Sequence, residues 1–414
     1  MTEAPPARNV FFVGVDVDSM GGSQRVLHTL AQGMGERGHR VELIGIRPSP
    51  EPFPYNATRA YRHATLYPPA ADPRPPVRTV GDRLSLARRA DARRARAARE
   101  HARAEMQRRL SAVEDGYIVF GSPWAVDWVM PLDWRHLKGI GQYHESFAQA
   151  RRSANLKLIR RHYPALEQTL VLSQGDAVEF VNQRLPNVRV MPNPLPFYPD
   201  ERAPLDTLKI GAVGRLDPIK RYDRMIEAFA QARADGRGAG GRGAGARGTG
   251  GQGAGRQGAG RQGAGREGWE LHLFGDGPLE NELRMKAEDL GVADQVVLRG
   301  TVKDMAAAYR ELSVVAISSE REGRPMALAE AAACGVPCVS FDVSGGVREL
   351  VEDGVTGTLV PPGDVPGLAA AFGELMDDAA LRRRYGAAGR EHVARLSLPS
   401  VLDRWDAVFA EIER

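Results

Sequence analysis

Two carboxylates eight residues apart, Glu322 and Glu330, frame the segment of this chain whose residue types say most about chemistry. Gly323 and Pro325 between them mark a turn into a helix, and Gly335-Val336-Pro337 ends it. Proline is favoured in a first helical turn, where its missing N–H costs nothing. The pattern puts Glu322 just ahead of a helix N-terminus and Glu330 inside the helix, roughly 7–8 Å further along the axis. The free N–H groups of Met326 and Ala327 then lie between the acids and face any anion docked there. Such a site suits a phosphate set between two hydroxyl-rich groups, the layout of a nucleotide-sugar. The alternative is a pair of solvated glutamates on an Ala-rich helix.

Three other segments favour the ligand reading. Gly214-Arg215 and Lys220 lie in a strand-to-helix loop, and the chain has six Lys among its 56 basic residues. Two fixed cations there would hold a diphosphate and stabilise the charge that develops as it leaves. Gly21-Gly22 follows the first strand and precedes Ser23-Gln24-Arg25, so the backbone can approach a ligand closely at a helix start. His144, in Gly141-Gln-Tyr-His-Glu-Ser, ends another strand. Loops at strand ends line the crevice of such sheets. Asp16-x-Asp18 mimics a metal-binding acidic pair, but its place directly before Gly21-Gly22 argues against a metal. Cys334 and Cys338 have no nearby His and are expected as buried thiols.

The elements that must position these groups alternate strand and helix. Residues 9–15, 40–46, 116–120, 136–141, 169–172 and 188–191 read as strands, with a helix over 23–37, which is the start of an α/β domain with a parallel sheet. Pro192 to Pro204 breaks regular structure. A second series follows, with strands at 209–213, 269–274, 295–299, 314–317 and 338–341 and helices near 367–395 and 399–413. The expected domains are 1–200 and 205–395, doubly wound and facing across a cleft, with 396–414 packing back on the first.

Two segments interrupt this plan. Residues 236–268 hold sixteen Gly in 33 positions and read as a disordered insertion without chemistry. Residues 78–110 read as one or two exposed Arg-rich helices, either a solvated face or a dock for an anionic membrane surface or acceptor polymer. The net charge of +4 is local: residues 74–109 carry twelve Arg against four acids, and 236–268 carry six against one. Neither segment contains an aromatic residue, which argues against nucleic acid. No apolar run is long enough to span a bilayer. Met1-Thr2-Glu3-Ala4-Pro5-Pro6 has neither the basic start nor the apolar stretch of a signal peptide, so a cytoplasmic location, or one peripheral at the inner membrane face, is expected.

Together, Gly21-Gly22 with Arg25, His144, Gly214-Arg215 through Lys220, Gly275-Asp276-Gly277-Pro278 and Glu322-x7-Glu330 resemble the family-4 retaining glycosyltransferases of the GT-B fold, also known as glycosyl transferases group 1. The resemblance covers residues 10 to 365 apart from the two insertions. It implies that Arg215 and Lys220 bind the donor diphosphate and that Glu330 hydrogen-bonds the ribose. Glu322 and the amides of Met326 and Ala327 would contact the donor sugar and phosphates. Gly22 would approach the diphosphate, His144 would lie beside the reacting sugar, and the loop at Val302 would hold the base. The implied reaction moves a hexosyl unit from a nucleoside diphosphate, UDP foremost, to a hydroxyl, with no metal or other cofactor. The implied acceptor is a cell-envelope glycan or polymer, as in the branch that decorates anionic cell-wall polymers. An epimerase of the same fold, a transferase with a small-molecule acceptor, and a non-catalytic nucleotide-sugar-binding protein are the alternatives. Arg324-Pro325 departs from the family, which often has an aromatic residue and a Gly there; the extra cation would meet phosphate, an anionic acceptor or solvent.

Overall fold

The computed structural model describes residues 7–68, 86–240 and 265–414. The chain divides into two compact units, residues 1–196 with 396–414 and residues 197–395. Continuous apolar runs without alternation are buried on both faces, as parallel sheets require.

In the N-terminal unit seven strands pair in parallel, β1 (Asn9–Gly14), β2 (Arg40–Gly45), β3 (Arg62–Thr65), β4 (Tyr117–Phe120), β5 (Lys138–Gln142), β6 (Gln168–Val171) and β7 (Val188–Val190). Their order is β3-β2-β1-β4-β5-β6-β7, so the winding reverses between β1 and β4. Helix α1 (Gly22–Glu36) returns from β1 with no side-chain cap at its start. Helix α2 (Leu86–Leu110) carries the Arg-rich segment. It is not exposed all round: Ala102, Met106 and Leu110, spaced four apart, are fully buried against Ile44, Ile46 and Leu66. Arg109 ties the same helix to Glu42 of β2. Helix α3 (Pro123–Val129) follows β4, capped by the Ser122 hydroxyl.

The C-terminal unit has six parallel strands, β8 (Lys209–Val213), β9 (Glu270–Phe274), β10 (Val296–Gly300), β11 (Val314–Ile317), β12 (Cys338–Phe341) and β13 (Gly357–Val360), in the order β10-β9-β8-β11-β12-β13. The winding reverses between β8 and β11. Helix α4 (Tyr222–Gly240) follows β8 and helix α5 (Met326–Ala333) follows β11. Part of the Gly-rich tract is structured. Residues 236–240 continue α4, and Arg266 and Glu267 are anchored: Arg233 donates to both of their carbonyls, and Arg266 pairs with Asp377. The disorder expected for the rest of that tract falls on residues outside those described.

Helix α6 (Leu398–Ile412) belongs to the N-terminal unit. Leu398 and Leu402 press so closely on α1 that a Cβ on Gly33 would lie 2.8 Å from Leu402. Arg37 reaches Asp403 and Asp406 at 2.7 and 2.6 Å, and Trp405 is buried edge-on to Phe12. Among the described residues no helix is long and apolar enough to cross a membrane.

Candidate functional site

The switch point of the C-terminal sheet brings together the loops that carry most of the expected site. Lys220 lies after β8 and Glu322 after β11, and Lys220 Nζ is 2.8 Å from Glu322 Oε1. The Ser319 hydroxyl donates to the same oxygen at 2.6 Å. The two loops are stitched by backbone as well: Glu320 N–H donates to Ile219 O, and the Ser318 hydroxyl bonds the carbonyls of Lys220 and Arg221. Arg221 sits at φ +52°, in the left-handed region, held there by Asp223 and Glu320. Asp217 caps the turn by accepting from Ile219 N–H. Lys220 therefore projects from a rigid loop, and its charge is balanced by Glu322 rather than by solvent alone.

Arg215 is exposed, lies in the same loop as Lys220, and makes no ion pair among the described residues. Its neighbour Gly214 has φ +156°, and an added Cβ would lie 3.0 Å from the Tyr222 hydroxyl. Gly275, at φ +132°, backs the same loop so closely that a Cβ would lie 2.2 Å from Gly214 O. These contacts require glycine and keep the Arg215 loop against the end of β9. Val302 lies one loop further along the sheet edge, after Gly300 at φ +62°, where the Thr301 hydroxyl bonds Asp276.

Helix α5 begins at Met326, so Glu330 is its fifth residue. Glu330 is buried and accepts from the Tyr309 hydroxyl at 3.1 Å. No side chain caps the helix, which leaves the amides of Met326 and Ala327 uncapped at its start. Arg324 does not face solvent. Its side chain is 4% exposed and reaches Glu349 at 3.2 Å. The loop around it is pinned by Gly346, where a Cβ would lie 1.9 Å from Gly323 O. The cation that departs from the family pattern is thus committed to an ion pair within this unit.

Gly22 and His144 belong to the N-terminal unit, at the carboxyl ends of β1 and β5. A Cβ on Gly22 would meet nothing within 4 Å, so open space lies before the α1 N-terminus. His144 Nδ1 bonds Asn193 Oδ1 at 3.0 Å, while Nε2 is buried without a partner among the described residues. Burial pushes its imidazole down to about 4, so it is neutral at pH 7. Asp16 accepts from the backbone of Asp18 and Ser19 at 3.0 Å. Asp18, His28 and His63 each bring one ligand atom within 4.8 Å of the others. Both ring nitrogens of His28 are already spent, on Tyr61 at 2.5 Å and Val17 O at 2.9 Å. The thiols of Cys334 and Cys338 are buried and pushed up to about 12, chiefly by desolvation.

Ser319, Tyr309 and Asn193, which orient Glu322, Glu330 and His144, are not among the residues the motifs single out. Single hydroxyls and amides carry no pattern of their own. Their role depends on which loops the sheet order makes neighbours.

Residues 20–196 match the Glycosyltransferase Family 4 domain, and residues 260–378 match the Glycosyl transferases group 1 domain. The chain carries the paired domains of the GT-B glycosyltransferases. It is 30% identical over 74% of its length to an exopolysaccharide phosphotransferase of Streptomyces coelicolor, of which the match covers 30%. It is 30% identical to the N-acetyl-alpha-D-glucosaminyl L-malate synthase of Bacillus anthracis, over 35% of this chain and 38% of that one. The chain therefore spans about a third of the length of these relatives. Among solved structures, TarM of Staphylococcus aureus superposes with a TM-score of 0.74 at 12% identity, over 98% of this chain and 99% of that one. HepE of Anabaena, solved with UDP-glucose, superposes at 0.69 with 16% identity, over 98% and 100%.

Proposed function

We propose that this chain is a retaining glycosyltransferase that moves a hexosyl unit from a UDP-sugar to a hydroxyl of a cell-envelope glycan or polymer. The observation that carries the reading is the Lys220–Glu322 pair at the switch point, with Arg215, which has no ion pair among the described residues, in the loop that leads to Lys220, and buried Glu330 in the helix that follows Glu322. A diphosphate beside Arg215 and Lys220 would meet two cations, one held in place by a carboxylate. The uncapped amides of Met326 and Ala327 would take the remaining phosphate or sugar oxygens. Glu330, oriented by Tyr309, would accept from the ribose hydroxyls, and the loop at Val302 would border the base. Gly22 and His144 keep the roles the resemblance assigns them, approach to the diphosphate and contact with the reacting sugar. A neutral His144 with Nε2 unoccupied suits a hydrogen bond to a sugar hydroxyl.

In the proposed step the acceptor oxygen bonds the anomeric carbon as the bond from that carbon to the diphosphate oxygen breaks. The hydroxyl proton passes to the departing diphosphate on the same face, which retains the configuration. Arg215 and Lys220 balance the negative charge left behind. No residue in this scheme calls for a metal. HepE is described with UDP-glucose and TarM with UDP, which supports a UDP-sugar donor here. A poly(ribitol-phosphate) alpha-N-acetylglucosaminyltransferase of S. aureus and an amylovoran biosynthesis glycosyltransferase of Erwinia amylovora are among the relatives, which supports an envelope acceptor.

Thermal unfolding with a panel of UDP-, GDP- and TDP-sugars tests the donor assignment. UDP-sugars are expected to raise the melting temperature most. No protection by any nucleotide would sink the reading, and turnover of donor to an epimer without acceptor would replace it with an epimerase.

A further inference from the structure

The winding of the N-terminal sheet reverses between β1 and β4, and a cavity of about 760 Å³ lies at that reversal. It is bordered by Gly14 at the end of β1 with Val15 and Asp16 after it, Ser23 and Gln24 next to Gly22, and Gly121 and Ser122 after β4. Open α/β sheets bind ligands at such points. Three arginines line it: Arg47 after β2, and Arg99 and Arg103 one turn apart on α2. None of the three makes an ion pair among the described residues, and Arg103 Nε is shut off from solvent without an acceptor. A buried guanidinium N–H without an acceptor is costly, so little of the Arg103 hydrogen-bonding capacity is used within the described residues.

Two acids share the lining, but both are engaged. Asp16 accepts from the backbone of Asp18 and Ser19, and Asp127 bonds His162 at 2.8 Å. The cations are therefore the groups left to meet a ligand. Beside them Trp124 is 51% exposed, its indole N–H fixed to Asn155 at 3.0 Å, so that the ring stands as a platform. Trp128 lies one turn along the same helix. An apolar ring face next to guanidinium groups fits a pyranose bearing a negative charge.

We propose that Arg99, Arg103 and Trp124 make this cavity selective for a polyanionic glycan, one with phosphodiester or carboxylate groups along its chain, as the acceptor. The proposal rests on the glycosyltransferase reading above. A glycan chain fits better than a bilayer, because Arg103 is partly buried and lines the cavity with Trp128 and the ends of β1 and β4, where a flat headgroup surface cannot follow. The Arg-rich character of α2 thereby acquires a specific purpose at Arg99 and Arg103.

Calorimetric titration of the full chain with a glycerol-phosphate hexamer, hexagalacturonate and maltohexaose tests this. At least one charged hexamer is expected to bind tenfold or more tighter than maltohexaose, weakening as salt rises. Which of the two binds distinguishes phosphate from carboxylate. The double substitution Arg99→Gln with Arg103→Gln is expected to cost the charged hexamer roughly tenfold or more, with an unchanged melting temperature. Trp124→Ala should weaken charged and neutral hexamers alike. Equal binding of charged and neutral hexamers, no binding of either charged hexamer, or full affinity in the double variant overturns the proposal. Cosedimentation with phosphatidylglycerol vesicles in place of hexamer binding would assign the arginines to a membrane instead. UDP is titrated into the same wild-type sample. Absent UDP binding would sink the donor reading, whereas UDP binding without charge selectivity would sink only this one.

Discussion

Removing Lys220 separates a structural ion pair from a group that acts on the diphosphate. Lys220 Nζ lies 2.8 Å from Glu322 Oε1, with the two side chains 25% and 11% exposed. At that separation the bare attraction is about 1.5 kcal/mol in water and about 6 kcal/mol at an effective dielectric of 20. Solvent screening, desolvation and the entropy of fixing a long side chain offset most of it, leaving about 1 kcal/mol. Glu322 also keeps the Ser319 hydroxyl in Lys220→Ala. The expected loss of stability is thus about 1 kcal/mol, or about 2–4 °C in melting temperature for a unit of this size. That cannot depopulate the fold at 25 °C. The loss of an oriented cation at a departing diphosphate is worth about 10²-fold in rate, near 2.7 kcal/mol. Turnover of a UDP-sugar and thermal unfolding, measured side by side on Lys220→Ala and Glu322→Ala, should show the second magnitude in rate and the first in stability. Turnover within threefold of wild type in either variant, with the small melting shift present, would refute the site and leave the pair as a strut between two loops.

Two other perturbations follow from the geometry. His144, buried and held down to about 4, refuses a proton that the unfolded chain accepts below 6.5, so its contribution is intact above pH 6.5 and lost as pH falls toward 4. Chemical denaturation at pH 7 and pH 4.5 should show that loss, on the order of 3 kcal/mol at most, and His144→Asn should shrink it; an equal acid loss in both proteins would contradict the assignment. Gly275→Ala forces a Cβ to 2.2 Å from Gly214 O at φ +132° and should cost about 2–3 kcal/mol by denaturant titration. Gly22→Ala, whose added carbon meets nothing within 4 Å, should leave stability unchanged. Equal stabilities for the two variants would show that the Gly214–Gly275 contact relaxes freely.

Much of the fold was legible because buried parallel strands are written as short apolar runs. Residues 209–213, 314–317 and 338–341 read as strands and are β8, β11 and β12 with those limits. The two missed strands, β3 and β13, are short edge strands. β3, Arg-His-Ala-Thr, has one apolar residue and pairs only with β2 among the described strands, so no apolar run announces it. Helix α2 was readable as a helix, but not its buried stripe, because three apolar residues spaced four apart are diluted by arginines on every other face.

For the chemistry, the identities and order of the groups could be read along the chain: Arg215 and Lys220 in one loop, Glu322 and Glu330 around one helix start, Gly22 and His144 at strand ends. Loop position relative to strand is a local property, set by turn residues and apolar runs. Which of those groups meet is a property of the folded chain. That Lys220 pairs with Glu322, that Arg324 turns inward to Glu349, and that Arg99 and Arg103 line a cavity beside Gly22 all depend on strand order and helix packing. Those contacts join residues from 25 to more than 100 positions apart, and the free energy that selects them comes from burying the sheets and helices that carry them, not from the residues themselves.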